Sequence, residues 1–433
     1  MYMSFITSSP MELHKWGESK QATHFIFNTV RKPLDGILEL QIPGEGGYWH
    51  AFLLNKTLYV AAVSSASAEE EGDVFPAFVG SVHNVEKAAG AWLKRSDPEI
   101  SPSVTLTYQL YFSFYLIGMD TYYQRPDLSQ CGRTLQGFWP SDRMHMQRPG
   151  VDGFPSRALF FLREVEDKAA EMGIGLAAVE GMKDQSQFSC LLKEEKAVTA
   201  VLHKQMLITL LKSLESSHAL KVLLHPEPFE GLPPNISYGH WRLYENDKIL
   251  FESLHHPTRY KGSMLLLNNA VAEAFHNKEN VRISVVEKAV EKWKELHLPE
   301  SLACLHRNAS VEQLERELHV LSDLTINYYV SAAVKHVNLI LENLRGLKET
   351  LPPEACQEAS ATQLKVVSIT MGYVNELRLL VHDMLEALKN PETIEEKGPE
   401  LMAEVRKRTD HLEMIVDQAL WPVPKYREIL FLT

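Results

Sequence analysis

Apolar and polar side chains alternate one by one in several stretches of the first half of this chain, whereas in the last third they recur every three to four residues. The first period puts one face of a strand on a core, and the second puts one stripe of a helix there. Residues 1–100 read as a small β-rich unit. Ala22 to Val30 alternates, Ala51 to Val63 reads as two strands broken at Asn55-Lys56, and a helix over Val85 to Lys94 closes the unit. The acidic run Ser67 to Gly72 reads as a solvated loop. Alternating aromatics predict a strand from Thr105 to Asp120, and Pro155 to Met172 predicts a helix capped by Ser156. After a short segment over Gly173 to Leu192 come a long helix around Glu194 to Ser216 and a buried strand over Leu220 to Leu224. Strands and helices alternate here, so the block reads as α/β or α+β.

Beyond about Asn308 the pattern is helical throughout. Ser310-x-x-Gln313 reads as a capping box opening a helix to about Thr350, with Leu314, Leu318, Leu321, Tyr328, Ala332, Leu339 and Leu344 along its seam and Pro352-Pro353 as its stop. Two further helices, about Ser360 to Lys389 and Pro399 to Leu420, are expected on either side of an acidic Pro-Gly loop. Such an antiparallel bundle serves as scaffold or interface, and the Leu314/Leu318 seam is its expected assembly surface.

Composition narrows the function classes. The chain has 433 residues, 45% apolar and 23% charged, enough for two or three domains. A net charge of −12, from 56 acidic against 44 basic residues, argues against nucleic acid as a partner, because phosphate-backbone affinity rests on clustered Lys and Arg. Four scattered cysteines, Cys131, Cys190, Cys304 and Cys356, suit reduced thiols better than a disulfide framework or a zinc site. The longest apolar stretch, Leu106 to Met119, is too short and tyrosine-rich to span a bilayer, and the N-terminal residues lack the pattern of an export signal. No membrane partner and a cytoplasmic location are the expectations that follow.

Three segments carry chemical information: Tyr122 to Leu135 (YYQRPDLSQCGRTL), Leu223 to Trp241 (LLHPEPFEGLPPNISYGHW) and Trp421 to Phe431 (WPVPKYREILF). In the same order, each resembles a segment of the type III glutamine synthetases. Trp16 to Ile37 resembles the start of that family's N-terminal domain, and Ser263 to Phe275 a helix that follows its active-site strands. The resemblance implies an α+β, glutamine-synthetase-like fold. Its expected parts are a β-grasp-like domain over 1–100, a catalytic-type domain with a curved antiparallel sheet over 101–308, and a helical region over 309–433.

It also implies a reaction, ATP-driven joining of ammonia to glutamate, in which divalent ions held by carboxylates and a histidine neutralise the transferring phosphoryl group. Alignment on Arg125-Pro126-Asp127-Leu128 places Tyr111 and Ser113 where the family has a Glu-x-Glu pair. Counting from Gly173-Ile174 places Met182 and Ser189 at two further glutamate positions, and His225, Pro228, Phe229 and Gly231 place Tyr238 at the metal-binding histidine. No catalytic or metal residue is therefore expected. The expected residual cleft is Arg125, Gln187, His203, Gln205, His225, His240 and Trp241.

Glu180 and Asp184 share the strand face of Met182 and are the candidate substitutes for a lost carboxylate. His255-His256 with His240 forms no fixed-spacing metal pattern, Gly44 to Gly47 lacks the Lys-Ser/Thr of a phosphate loop, and no HExxH, GxSxG or internal repeat occurs. The leading expectation is a degenerate pseudoenzyme acting by ligand binding or assembly, with itself or an active paralogue as partner and no cofactor. The alternatives are an active ligase using ATP with Mg or Mn at an altered metal site, and an interaction scaffold built on the C-terminal helices.

Overall fold

The computed structural model of the protein describes residues 3–7, 36–41, 48–54, 57–62, 74–96, 103–137, 155–182, 186–257, 268, 271, 272, 275 and 300–430. Side chains are described for 78–95, 103–137, 155–182, 186–252, 268, 271, 272, 275 and 310–430. The strand expected over Ala22 to Val30, the acidic loop, the Gly44 to Gly47 turn and most of the 16–37 and 263–275 segments lie outside the described residues.

Near the start, β1 (Met3–Thr7), β2 (Gly36–Gln41), β3 (Tyr48–Leu54) and β4 (Thr57–Ala62) form an antiparallel sheet in the order β1-β4-β3-β2. Leu54 pairs with Thr57, so the chain reverses at Asn55-Lys56 as its pattern predicts. Helix α1 (Val74–Ser96) starts eleven residues before the expected Val85.

A second sheet is organised on β5 (Val104–Gly118), a 15-residue strand. Its neighbours are β6 (Leu176–Gly181), β7 (Gln187–Leu192), the two-residue β8 (Glu195–Lys196), β9 (Leu220–Leu223), β10 (Ser237–Glu245) and β11 (Lys248–Pro257). The order is β11-β10-β5-β7-β6, with β8 and β9 also pairing β5, and every pairing is antiparallel. The segment 173–192, left without a type in the sequence reading, therefore supplies two strands.

Even-numbered side chains of β5, from Leu106 to Leu116, enter a core built with α1, α4 (Ser156–Glu171) and α5 (Ala197–Leu214). Each such Leu or Phe contributes about 1.5–3 kcal/mol by leaving water. Inside this core the Tyr108 hydroxyl donates to Asn268 Oδ1 at 2.8 Å, and Asn268 Nδ2 donates to Ser81 Oγ at 2.9 Å, so the buried polar groups satisfy one another. Ser156 is the first residue of α4 rather than its cap: Pro155 holds the cap position, and no side chain caps there.

The helical region departs most from expectation. α6 (Glu300–Asp323) is already helical at Ser310, so the apparent capping box lies inside a helix. A seven-residue π-helix, Leu324–Val330, links α6 to α7 (Ser331–Thr350), and α8 (Pro353–Ala387) and α9 (Pro391–Ile415) complete the bundle. The acidic stretch expected as a loop is the first part of α9. Its start was signalled by Asn390-Pro391: the Asn390 side chain accepts from Glu392 N at 3.0 Å, and proline sits where no helical N–H is needed. Leu318, Leu321 and Ala332 of the predicted seam are buried, whereas Leu339 is 51% exposed.

The three segments that resemble type III glutamine synthetases meet at one buried junction between the sheet and this bundle. After α2 (Met119–Tyr123), α3 (Pro126–Cys131) ends at Gly132 with φ of 73°, a left-handed cap that suits glycine. Tyr426, on α10 (Tyr426–Leu430), shares a 2.7 Å hydrogen bond with Thr134 Oγ1, accepts from Arg406 at 2.9 Å and Glu230 N at 3.3 Å, and packs edge-on to Phe229. Gly137 passes so close that an added Cβ would lie 2.2 Å from the Tyr426 ring, at φ of 141°. Gly137→Ala is expected to cost about 2–4 kcal/mol from overpacking and backbone strain together. A lowered urea midpoint at unchanged slope checks this, and an unchanged midpoint sinks it.

Candidate functional site

On the face of β5 opposite the core, odd-numbered residues alternate outward, and β10, β7 and β6 extend that face in register. Tyr111 lies opposite Tyr238, Ser113 opposite Ser189, and Ser189 opposite Glu180. The Tyr111 and Tyr238 rings stack at 4.4 Å between centroids with 19° between planes, and the Tyr111 hydroxyl meets Met182 Sδ at 3.5 Å. Ser113 and Ser189 are buried, and Ser113 Oγ accepts from Ile236 N at 2.8 Å. All five positions singled out by the resemblance therefore lie together in one strip of the sheet. Desolvation, with Tyr111 and Glu180 nearby, raises the Tyr238 phenol pKa, so that side chain stays neutral.

This donor set does not fit a pair of hard divalent cations. Such ions take charged oxygen ligands, and the strip supplies two phenols, two hydroxyls and a thioether. Among the described residues no group of three or more His, Cys, Asp or Glu is placed to hold a metal. Glu180 is exposed beside the strip, and Asp184 lies outside the described residues.

The expected cleft residues divide among four places. Gln187 and His240 lie on the strip's side of the sheet, Gln187 buried there: its Nε2 donates to Pro234 O at 3.0 Å, and His240 stands edge-on to Tyr238 at 6.3 Å. Trp241 does not, because it is one residue out of phase with Tyr238 and His240 and enters the opposite core, 1% exposed. His203 and Gln205 lie on α5, the helix packed on the core side, and His203 Nδ1 contacts Glu195 at 2.7 Å.

Arg125 and His225 belong to the junction. Arg125 is fully buried, donating through Nε at 3.0 Å and NH2 at 2.6 Å to the Asp127 carboxylate, and to the Pro424 and Gln136 carbonyls. His225 Nδ1 accepts from Glu227 N at 3.0 Å while its Nε2 meets Gln313 of α6 at 3.1 Å. Burial and the Arg133 charge lower its pKa, keeping the ring neutral.

Two features escaped the sequence reading. Glu194, just before β8, accepts from Thr107 Oγ1 at 2.5 Å and pairs with Arg242, which also holds Glu252 at 2.8 Å. Burial alone would raise the Glu194 pKa, but the bonds from Thr107, Tyr244 and Arg242 outweigh it and hold the carboxylate ionised. Lys204 on α5 donates to Ser237 Oγ at 2.6 Å and lies 5.6 Å from the Phe112 ring, and desolvation pushes its pKa down to about 8. Neither has a sequence signature, since each depends on partners brought from other strands.

No protein-family model matches the chain. Over 129 residues it is 36% identical to a glutamine synthetase of Bacteroides fragilis (strain YCH46), covering 28% of this chain and 18% of that protein. Over 187 residues it is 29% identical to the type-3 glutamine synthetase of Dictyostelium discoideum, covering 43% of this chain and 25% of that protein. The matched stretches thus span a quarter or less of these relatives' lengths.

Among solved structures, apo GmaS without ligand overlaps 65% of this chain and 83% of its own at a TM-score of 0.42 and 13% identity. A novel glutamine synthase homolog overlaps 45% of this chain and 38% of its own at a TM-score of 0.32 and 14% identity. Both scores lie below 0.5, so the architecture rests on the antiparallel sheets and helices described above. By sequence, parts of this chain are similar to glutamine synthetases, a type-3 enzyme among them.

Proposed function

We propose that the chain is a catalytically degenerate member of this group that acts by binding a ligand or by assembly, with a second copy or an active glutamine synthetase as partner. The observation that carries this reading is the strip Tyr111, Tyr238, Met182, Ser113 and Ser189. Stacked phenols and a thioether stand on the sheet face where the resemblance calls for charged metal ligands. Phosphoryl transfer concentrates negative charge on the transferring group and needs cations at that point. A neutral aromatic strip supports no such charge, so the chain retains a shaped surface without the electrostatics of the reaction.

One observation favours the alternative of an active ligase: Glu180 is exposed opposite Ser189, at the edge of the strip. Phosphate release from ATP, with glutamate and ammonia in Mg or Mn, tests both readings beside an active type III enzyme as control. The expected result is a rate equal to the no-protein rate in both metals. Metal-dependent turnover abolished by Glu180→Ala would establish the ligase reading and remove the degenerate one.

A further inference from the structure

A cavity of about 270 Å³ opens at the junction, with none of the strip residues in its lining. Its walls come from the Arg133 to Leu135 segment, the turn at Glu230, Leu314 of α6, and Pro399, Met402, Ala403 and Arg406 of α9. Two kinds of surface meet there. Leu135, Leu314, Pro399, Met402 and Ala403 form an apolar wall, while Arg133, Arg406 and Glu230 place both signs of charge beside it.

The two cations are held in place from behind. Arg133 is clamped through Nε at 2.8 Å and NH2 at 2.5 Å by Glu317, which is 3% exposed. Arg406 is fixed by Gly137 O at 3.0 Å, the Tyr426 hydroxyl at 2.9 Å and, more loosely, Thr134 O at 3.4 Å from NH1, with Asp410 at 3.5 Å. The anion is the adjustable member: Glu230 is 68% exposed and pairs with Arg406 Nε at 2.6 Å from the turn.

A ligand must match all three elements. A phosphate or a dicarboxylate meets Glu230 as a like charge and leaves the apolar wall wet. A purely apolar molecule strips water from two guanidiniums and a carboxylate without replacing their hydrogen bonds, which is costly. A molecule with a carboxylate and an ammonium on one carbon, and an apolar side chain beyond it, satisfies the arginines, the glutamate and the wall together. We propose that this cavity binds a zwitterionic α-amino acid with an apolar side chain, the carboxylate on Arg133 and Arg406 and the ammonium on Glu230.

The test is calorimetric titration of the full chain with L-leucine, 4-methylpentanoate, which lacks the ammonium, and inorganic phosphate. Two variants accompany it: Glu230→Gln, at an exposed carboxylate, and Ala403→Phe, which fills the cavity from an exposed helix position. Leucine is expected to bind, and Ala403→Phe to abolish that binding while far-ultraviolet circular dichroism stays unchanged. Glu230→Gln is expected to weaken leucine about tenfold or more, the loss of one charge-assisted hydrogen bond, and to leave 4-methylpentanoate unweakened. Absence of leucine heat at millimolar concentration, equal leucine affinity in Glu230→Gln and the unmodified chain, or phosphate binding as tightly as leucine would each overturn the proposal. None of these outcomes bears on turnover at the sheet face, so this inference and the degenerate reading of the strip fail separately.

Discussion

Asp127→Ala is expected to lose about 3–5 kcal/mol of folding stability, because it strands a buried guanidinium. Asp127 and Arg125 are each 1% exposed at their side chains, and the carboxylate does more than pair with its neighbour. Its Oδ1 accepts from Leu128 N at 3.0 Å and its Oδ2 from Leu135 N at 2.9 Å, so the substitution also leaves two backbone donors without partners. Urea unfolding followed by circular dichroism measures the loss. The double variant Arg125→Met with Asp127→Leu is the control: it removes the stranded charge and should recover that part of the loss, while Leu128 N and Leu135 N stay unpaired. If Asp127→Ala leaves the midpoint in place, the pair contributes nothing to holding sheet and bundle together.

Leu318→Asp is expected to unfold the helical region outright, at about 4 kcal/mol or more for a buried unpaired charge. On the scaffold reading of the sequence, a charge at Leu314 or Leu318 breaks assembly and leaves the N-terminal two-thirds folded. In the structure Leu318 is fully buried within its own chain, among Leu321, Leu324, Met402 and Val405. The contact with α9 is close: a Cβ on Gly398 would sit 3.2 Å from Leu318 Cδ1 and from Leu314 Cδ2. A loss of helical signal at the melting temperature of the unmodified chain would not suffice as support. The prediction needs the transition itself to move down, and a change in oligomeric mass with an unmoved transition would return Leu318 to the assembly seam.

The strands and helices with a clear period were legible. The expected bounds of β5 fall within one or two residues of Val104–Gly118 because its even positions are continuously apolar; those of β9 fall within one residue and those of α5 within three. Misreadings fell where a local signal and a tertiary contact disagree. Ser310-x-x-Gln313 has the letters of a cap, but α6 runs through it, with Gln313 reaching Glu317 and His225 instead. Gly398 reads as the end of a loop before a helix at Pro399, yet α9 runs through both, and the missing Cβ of Gly398 is what lets α9 approach α6. The π-helix has no period that a 3.6-residue template detects; there Tyr329 turns inward to stack on Trp421 at 5.3 Å.

Of the site, the resemblance names the five residues of the strip, and the strand register brings their positions together. The roles of Arg125 and Trp241 were not legible. A buried arginine and a core tryptophan look the same in sequence as residues of a cleft, and only strand phase and the Asp127 partner distinguish them.

The convergence on Tyr426 has a consequence for the order in which the molecule is made. Arg125 donates to Pro424 across 299 positions, and Ser186 Oγ donates to Leu430 O at 2.6 Å across 244. The pocket of Tyr115, Ile117, Leu128, Leu223 and Phe229 closes only when Tyr426, Ile429 and Leu430 arrive. The junction therefore stays open until residues 424–430 have been made, with Arg125 and that apolar surface unsealed for the whole interval. Long-range closure of this kind slows folding and lengthens exposure to aggregation.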